Sequence, residues 1–334
     1  MSEAPHILVT GGAGFIGSHT VDALMAKGFR VSVLDNLSTG YMVNLEQWDN
    51  HPRFNFVDAD ITQDLTAAFA KMVARFGPIE RIAHFAAQTA VPISMDDPVG
   101  DIQANLAGTA RILEYARHNN VAKLFFASSS AVYDDDAPVP VSEESRARPM
   151  SPYGIDKLAV EFYLDYYAKL YGLTYTALRF MNVYGPRQDP KSWYSGVISI
   201  FLDRAATGQS ITIFDDGDQT RDFVYVTDVA QAVVHALLTN AGDNAIINIG
   251  TGVEVTINVL TKTILDLAGS ASPVRYEPAR PGDIRRSVTT MDKAVALLQF
   301  NPRVELREGL HATLAWVREE KNQAVARTGS GSAA

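Results

Sequence analysis

The 334-residue sequence contains no cysteine, so disulfide bonds and thiolate metal sites are excluded. It has no apolar run long enough to span a bilayer, although 47% of its residues are hydrophobic. The N-terminal segment MSEAPHILVT lacks the basic flank and long apolar core of a signal peptide. These absences predict a cytoplasmic protein with no membrane partner and no bound metal.

Positive charge is also scarce, with 29 lysines and arginines against 38 aspartates and glutamates. The formal net charge of -9 opposes broad attraction to nucleic acid, so nucleic acid is not an expected partner. An anionic ligand would need local arginines to overcome the field of the whole chain. The length exceeds the usual size of one domain and predicts a large α/β unit with a smaller lobe.

Short apolar runs alternate with helical patterns, such as residues 14–27 and 98–118, along the first half of the chain. This alternation predicts an α/β fold with a parallel, doubly wound sheet of the Rossmann type. The predicted strands are residues 6–10, 30–34, 54–57, 81–85, 123–127 and 174–180.

The alternation weakens after Asn182, where strand patterns at residues 211–214 and 245–249 are mixed with loops rich in Gly, Pro and Asp. We predict a dinucleotide-binding domain over residues 1–181, to which some later segments return, and a smaller α/β substrate-binding lobe over residues 182–327. The end of the chain, residues 328–334 (TGSGSAA), has the composition of a flexible tail.

A glycine-rich segment, GGAGFIG, follows the first predicted strand. Gly11 and Gly14 allow a tight turn and the close approach of a pyrophosphate, and Gly17 allows the next helix to pack closely on the strand. The N-terminus of that helix offers free N–H groups to an anion. A plain glycine-rich turn is the alternative, but the flanking strand–helix–strand pattern favours dinucleotide binding.

Asp35 ends the second predicted strand, 18 positions after Gly17. A carboxylate there can accept hydrogen bonds from ribose hydroxyls and would repel a 2′-phosphate, which favours NAD over NADP. Asp60, after the third strand, is placed to meet the adenine. For both aspartates the alternative is a solvated turn residue.

Tyr153 and Lys157 lie four residues apart at the start of a predicted helix, so their side chains share one face. A nearby ammonium and oxidised nicotinamide both favour phenolate, and lowering a tyrosine pKa from about 10 towards 7 requires roughly 4 kcal/mol. The serines of residues 128–130 lie at the carboxyl end of a parallel strand, where such sheets bind ligands. Taken alone, each pattern also fits a surface helix or a strand-end turn.

With these segments in this order, nearly the whole chain resembles the extended short-chain dehydrogenase/reductase family, specifically its NAD-dependent nucleotide-sugar epimerases of the UDP-glucose 4-epimerase type. Further matching segments are His84-Phe85-Ala86-Ala87-Gln88, Asn105 with Gly108-Thr109, Arg179 to Arg187 (RFMNVYGPR), Arg221-Asp222-Phe223, Asn248-Ile249-Gly250 and Arg280-Pro281-Gly282-Asp283.

The resemblance implies a role for each matching residue. Tyr153 is the general base, Lys157 tunes it and binds the nicotinamide ribose, and Ser129 binds O4 of the sugar. The implied NAD-binding set is Gly11, Gly14, Phe15, Ile16, Asp35, Asn36, Ser38, Gly40, Asp60, Ile61, Phe85, Ala86, Ala87, Gln88, Asn105, Tyr153, Lys157, Phe180 and Val183. The implied UDP-sugar-binding set is Ser129, Tyr153, Asn182, Val197, Thr212, Phe214, Arg221, Arg280 and Asp283.

The implied reaction is epimerisation at carbon 4 through a transient 4-keto sugar, with NAD staying tightly bound. Tyr153 removes the 4-hydroxyl proton while hydride leaves carbon 4. The sugar, anchored by its diphosphate, then turns over and takes the hydride back on its other face. Binding energy from UDP would hold the substrate while the hexose keeps few contacts.

Two departures from the family pattern bear on the substrate. The glycine that usually follows Val-Tyr is Asp134 here, opening the acidic run Asp134-Asp135-Asp136, which fits a solvated loop better than a specificity element. Ser287 corresponds to the bulky residue that closes the sugar pocket in strict glucose/galactose epimerases. A small residue there leaves room for an N-acetyl group, so UDP-GlcNAc/UDP-GalNAc joins UDP-glucose/UDP-galactose as an expected substrate pair.

Three other functions stay open at this stage. A UDP-glucuronate 4-epimerase would use Arg285 or Arg286 on the carboxylate, although arginines in loops are more often solvated. A nucleotide-sugar dehydratase is disfavoured because Ser130 and Ala131 stand where its acidic pair would be, and a decarboxylase has no positive signal. A non-catalytic NAD-binding regulator is opposed by the intact Ser129, Tyr153 and Lys157.

The helical stretches of residues 100–117 and 153–171 carry apolar and aromatic side chains. In the family such helices pair into a four-helix interface, so the resemblance implies a homodimer. Packing within the monomer explains part of the same pattern.

Overall fold

Alternating strands and helices build a layered α/β structure. The computed structural model describes residues 4–190, 196–279 and 284–329. Strands β1 to β13 are, in chain order, His6–Thr10, Arg30–Asp35, Phe54–Asp58, Arg81–His84, Lys123–Ser129, Tyr175–Phe180, Asn182–Tyr184, Ile211–Phe214, Thr220–Arg221, Phe223–Tyr225, Ala245–Ile249, Val255–Thr256 and Val274–Glu277. Helices α1 to α11 are Phe15–Ala26, Thr66–Phe76, Val91–Asp96, Pro98–Ile102, Thr109–His118, Pro152–Tyr171, Val197–Thr207, Val226–Leu238, Ile257–Ala268, Asp292–Leu298 and Leu306–Gly329.

The central sheet has seven strands in the order β11-β6-β5-β4-β1-β2-β3, and every neighbouring pair is parallel. The connection order reverses between β1 and β4, which opens a crevice at the carboxyl ends of these strands. The predicted doubly wound Rossmann sheet is therefore confirmed. The predicted helix over residues 98–118 is divided into α4 and α5 by a π-helical turn, Gln103–Gly108.

Apolar side chains cover both faces of this sheet. On one face, Val21 of α1 and Val233 of α8 are fully buried against strand residues such as Val9. On the other face, Met72 of α2 and Leu164 of α6 are equally buried. Each such side chain contributes about 1.5–3 kcal/mol on burial, so the two layers fix the helices against the strands.

The second half of the chain divides between the sheet and a separate cluster. Helices α7, α9 and α11 pack with β8 around buried side chains such as Leu202 and Ile264. Helices α8 and α10 and strand β11 instead join the core of the main sheet, and β11 is its edge strand. The sequence pattern placed residues 245–249 in the region of the predicted substrate-binding lobe. In the structure they extend the main sheet beside β6.

A buried ion pair links α6 to the centre of the sheet. The guanidinium of Arg179 in β6 donates to both carboxylate oxygens of Glu161, from Nε at 2.9 Å and from Nη2 at 2.6 Å. Ser128 at the end of β5 donates to the same carboxylate at 2.6 Å. Both charges are out of water, so each depends on the other for compensation.

Replacing Glu161 with Gln is expected to lower the free energy of unfolding by about 3–5 kcal/mol, because the change leaves the Arg179 charge buried without its anion. Urea denaturation followed by circular dichroism measures the effect. The control is Asp165→Asn on the same helix, which removes the exposed pair with Lys169 at 2.6 Å and should cost less than about 0.5 kcal/mol. Equal stability of the two variants would contradict the importance of the buried pair.

Candidate active site

The glycine turn between β1 and α1 leaves no room for side chains. Gly11 has a φ of 69°, and a Cβ there would lie 2.6 Å from the backbone nitrogen of Ala86. A Cβ on Gly17 would lie 2.1 Å from the Gly11 carbonyl oxygen. Helix α1 begins directly after Gly14, which provides no side-chain cap to its first N–H groups. The turn therefore presents bare backbone and free donors to the crevice.

Asp35 at the end of β2 holds this turn in place. The backbone N–H groups of Ala13 and Leu37 each donate to its carboxylate at 2.9 Å, one to each oxygen. Burial raises the pKa of Asp35, and these two hydrogen bonds oppose that rise. Each oxygen has a further lone pair, so the same carboxylate can also accept bonds from ribose hydroxyls.

A cleft of about 610 Å³ lies along the glycine turn at the carboxyl ends of the strands. It brings together nearly the whole cofactor set that the family resemblance implies. The members that line it are Gly11, Gly14, Phe15, Ile16, Asp35, Asn36, Ser38, Gly40, Asp60, Ile61, Phe85, Ala86, Ala87, Gln88, Tyr153, Lys157, Phe180 and Val183.

Asn105 differs from the rest of that set because it lies behind the cleft wall. It is buried, accepts a bond from the Gln88 backbone N–H at 2.8 Å and donates to the Gln88 carbonyl at 2.9 Å. Its contact with the cleft therefore passes through Gln88. Conversely, several residues outside the predicted set line the cleft: Thr39, Tyr41, Asn44, Thr62, Arg187, Gln188 and Asp189. Only Arg187 carried a sequence signal, as the last residue of the RFMNVYGPR segment.

The three predicted catalytic residues meet at the inner end of the cleft. Ser151 caps α6 by accepting from the Gly154 N–H at 3.2 Å, which places Tyr153 in the first turn of the helix. Lys157 lies one turn later, on the same face. Ser129, at the end of β5, lines the same cleft, and its hydroxyl accepts from the Ala131 N–H at 3.1 Å.

The ammonium of Lys157 is buried beneath Tyr153. It donates to the Ala127 carbonyl at 2.8 Å and lies 4.7 Å from the centre of the Phe126 ring and 5.6 Å from that of Tyr153. Burial lowers the pKa of Lys157 to about 8, against the nearby charges of Asp101, Asp156 and Glu161, which raise it. The ammonium is therefore only marginally stable in this position.

The pKa of Tyr153 moves in the direction opposite to the sequence-based expectation. Burial raises it to about 12, the hydrogen bond with Ser129 lowers it, and the charge of Asp101 raises it further. Desolvation of the phenolate is the largest of these effects. Tyr153 is consequently a neutral phenol in this structure, and a further positive charge is needed to make it a base at neutral pH.

A second, smaller cavity of about 140 Å³ adjoins this end of the cleft, and Met181 lines both. Its walls include Ser130, Ala131, Asn182, Arg221 and Ser287. The guanidinium of Arg221 donates to the carbonyls of Thr220 at 2.8 Å and Ile284 at 2.7 Å. Two residues of the implied substrate set, Asn182 and Arg221, thus lie beside the catalytic group.

Three other members of that set lie elsewhere. Val197 begins α7, and Thr212 and Phe214 belong to β8, so none of these three lines the two cavities described above. Thr212 accepts a bond from Arg204 at 3.3 Å. Arg280 and Asp283 fall outside the described residues.

The structure also shows the contacts of the loop aspartates and arginines that were considered for sugar specificity. Asp134 lies 3.8 Å from Arg146 and 3.9 Å from Arg148, and Asp134 and Asp135 both line the smaller cavity. Arg286 donates to both oxygens of Glu254, at 2.9 and 2.6 Å. Arg285 makes equivalent contacts with Asp216 at 2.7 and 2.9 Å, so both arginines already pair with carboxylates.

Groups of potential metal ligands and membrane-spanning helices are both absent from the part of the chain that the structure describes. No three His, Asp or Glu side chains there come together as a metal site. None of the helices described is both long and apolar enough to cross a bilayer.

The sequence of residues 7–250 matches the NAD dependent epimerase/dehydratase family. A UDP-glucose 4-epimerase of Mycolicibacterium smegmatis is 42% identical over 315 residues, which cover 94% of this chain and 98% of that protein.

Two crystal-structure neighbours have the same fold over almost their full length. The UDP-glucose 4-epimerase of Thermotoga maritima with UDP-glucose has a TM-score of 0.88 at 40% identity, covering 95% of this chain and 99% of that one. The UDP-N-acetylglucosamine 4-epimerase of Methanobrevibacter ruminantium, in complex with UDP-N-acetylmuramic acid, has a TM-score of 0.88 at 35% identity, covering 96% and 100%.

Proposed function

The chain belongs to the NAD-dependent epimerase/dehydratase family, and we propose that it inverts the configuration of a UDP-hexose at carbon 4. The observation that carries this proposal is the meeting of Ser129, Tyr153 and Lys157 where the dinucleotide cleft adjoins the smaller cavity. One group at that point can bond a sugar hydroxyl, one can take its proton and one can supply positive charge.

The cleft fits NAD in shape and in chemistry. The glycine turn provides the close backbone approach that a pyrophosphate needs, since a Cβ on Gly11 or Gly17 would meet backbone atoms within 3 Å. The Asp35 carboxylate would repel the 2′-phosphate of NADP, which favours NAD over NADP. When bound, NAD supplies the hydride acceptor for oxidation at carbon 4 and returns the hydride afterwards.

Tyr153 acts on the proton of the 4-hydroxyl group. Its pKa of about 12 makes it a poor base alone, so ionisation depends on the Lys157 ammonium together with the positive nicotinamide ring. Ser129, which lines the cleft together with Tyr153, holds the sugar oxygen beside the phenol. The phenol then returns the proton to the same oxygen after the sugar has turned over.

The smaller cavity supports epimerisation over dehydration. Ser130 and Ala131 form its wall next to Ser129, and neither carries the acid that elimination of water needs. In this proposal, Asn182 and Arg221 face the diphosphate group of the UDP-sugar. A sugar held mainly through its UDP group keeps the freedom to present either face to the nicotinamide.

The same cavity favours a neutral sugar. Ser287 leaves space that a bulky residue would fill, so both UDP-glucose and UDP-N-acetylglucosamine pairs are proposed substrates. A uronate is disfavoured because Arg286, which lines the cavity, already pairs with Glu254, and Arg285 pairs with Asp216. Asp134 and Asp135 add negative charge to the same wall.

We also propose that two chains associate through α6 and the neighbouring α4. Phe162 is 69% exposed, Leu170 57% and Val99 69%, and such large apolar groups at one surface are typical of interfaces. Phe162 and Leu170 lie on the outer side of α6, away from Lys157, so association would leave the cleft accessible.

The purified protein should convert UDP-galactose to UDP-glucose, as observed by proton NMR. Its kcat/KM for UDP-N-acetylgalactosamine should be within about tenfold of that for UDP-galactose, and its kcat/KM for UDP-glucuronate should be at least about 100-fold lower than that for UDP-galactose.

Tyr153→Phe should retain NAD and lose about 10²–10⁴-fold in kcat, since it removes the general base. Tyr163→Phe, an exposed tyrosine of the same helix, is the matched control and should keep wild-type turnover.

Wild-type protein that holds NAD but turns over no UDP-hexose would contradict the epimerase proposal and favour the regulator. A Tyr153→Phe variant as fast as wild type would remove Tyr153 from the reaction.

Light scattering should give a particle mass of twice the 36.4 kDa chain. Phe162→Glu with Leu170→Glu should give the mass of one chain, because burying two carboxylates in an apolar interface is strongly unfavourable. Val259→Glu, an equally exposed apolar site on α9, should leave the mass unchanged. A wild-type particle with the mass of one chain would contradict the dimer.

A further inference from the structure

Two buried carboxyl groups lie beside Lys157 and have no part in the chemistry above. Asp101 of α4 is 1% exposed and Asp156 of α6 is 3% exposed, and the charge of Asp101 adds to burial in raising the pKa of Asp156. Asp156 immediately precedes Lys157 in the chain. Burying two ionised carboxylates close together costs free energy, and this cost favours protonation of one of them.

The hydrogen bonds around Asp101 satisfy only one of its two oxygens. Oδ1 of Asp101 accepts from the Gln88 side-chain amide at 2.6 Å and from Asn105 at 3.0 Å. Within the described parts of the chain, Oδ2 of Asp101 and Oδ2 of Asp156 are buried and have no hydrogen-bond partner. Two ionised carboxylates are acceptors only, so a hydrogen bond between them requires one proton.

The charged groups around this pair are few. On α6, Lys157 is attracted to both aspartates, and Glu161 is neutralised by Arg179 of β6. His84 of β4 stays neutral, since burial lowers its pKa to about 3 and Lys157 lowers it further. Tyr153 is uncharged. The carboxyl pair is therefore the main uncompensated negative charge that Lys157 meets.

We propose that Asp101 and Asp156 form a proton-sharing pair, and that Asp156 is a positioning residue whose negative charge, once the shared proton has left, holds the Lys157 ammonium under Tyr153. This role rests on the proposed function, because Lys157 matters only if Tyr153 is the base. The pair also orders the cleft wall, since Gln88 bonds Asp101 and lines the cleft.

The pair makes the charge beside Lys157 depend on pH. Burial and the adjacent Asp101 raise the pKa of Asp156 to about 6. Below that pH the pair carries one proton and a single negative charge, and above it the pair carries two. The second charge is thus present in the range where Lys157, with a pKa of about 8, begins to lose its own proton.

Asp156→Asn imitates the protonated state, because its amide can donate to Asp101 and carries no charge. In assays of UDP-galactose epimerisation from about pH 5 to pH 9, this variant should match wild type below about pH 6 and fall to about a tenth of wild type near pH 8. Asp156→Ser, which keeps a hydroxyl donor without charge, should give the same profile. Asp165→Asn on the same helix should follow wild type throughout.

Two results would overturn the positioning role. A loss of the same factor at every pH in both Asp156 variants would indicate a purely structural role. Wild-type activity of Asp156→Ser at alkaline pH would show that the hydrogen bond to Asp101 suffices without charge.

A measurement without substrate tests the shared proton separately from the reaction. The infrared difference spectrum of wild type minus Asp156→Asn, recorded below about pH 6, should contain the carbonyl band of a protonated carboxyl group. Its absence would overturn the proton-sharing pair even in an active epimerase. Its presence in a protein that turns over no UDP-hexose would support the pair and overturn the proposed function.

Discussion

In the proposed mechanism, the active site depends on keeping the ammonium of Lys157 charged inside the protein. Burial works against that charge strongly enough to lower the lysine pKa to about 8. The groups that oppose this effect come from different elements: the Ala127 carbonyl at the end of β5, the Phe126 ring, and the carboxyls of Asp101 and Asp156. In that mechanism, the carboxyl end of β5, α4 and α6 must all be in place before Lys157 can act on Tyr153. Catalysis by this route therefore requires the packing of α4 and α6 against the sheet.

The parallel sheet supplies the geometry that this requirement needs. Because β1, β2, β4, β5 and β6 all end at one edge, the glycine turn, Asp35 and Ser129 converge there although they are distant in the chain. The reversal of strand order between β1 and β4 opens the edge as a cleft rather than a flat surface. The buried Glu161–Arg179 pair then fixes α6 against β6, and with it the height of Tyr153 above the sheet.

Local patterns predicted the parts of this arrangement whose physics is local. The glycine turn, Asp35 at a strand end, and the Tyr153–Lys157 spacing each follow from backbone geometry, and all line the cleft as expected. Four features could not be predicted in this way. The addition of β11 to the main sheet depends on tertiary pairing with β6. Asn105 acts through Gln88, and the raised pKa of Tyr153 reflects burial that no sequence pattern reports. Asp101 and Asp156 are 55 positions apart, so no local sequence pattern indicates that the fold brings them together.

The central claim is that Tyr153 becomes a base only in the combined field of Lys157 and the nicotinamide. The most direct measurement is an ultraviolet titration of the phenolate, taken as wild type minus Tyr153→Phe, with and without NAD. Without NAD the phenol should stay neutral past pH 10, as its pKa of about 12 requires. With NAD the phenolate signal should be present well below the ordinary tyrosine value of about 10. Identical titration curves in the two conditions would contradict the claim.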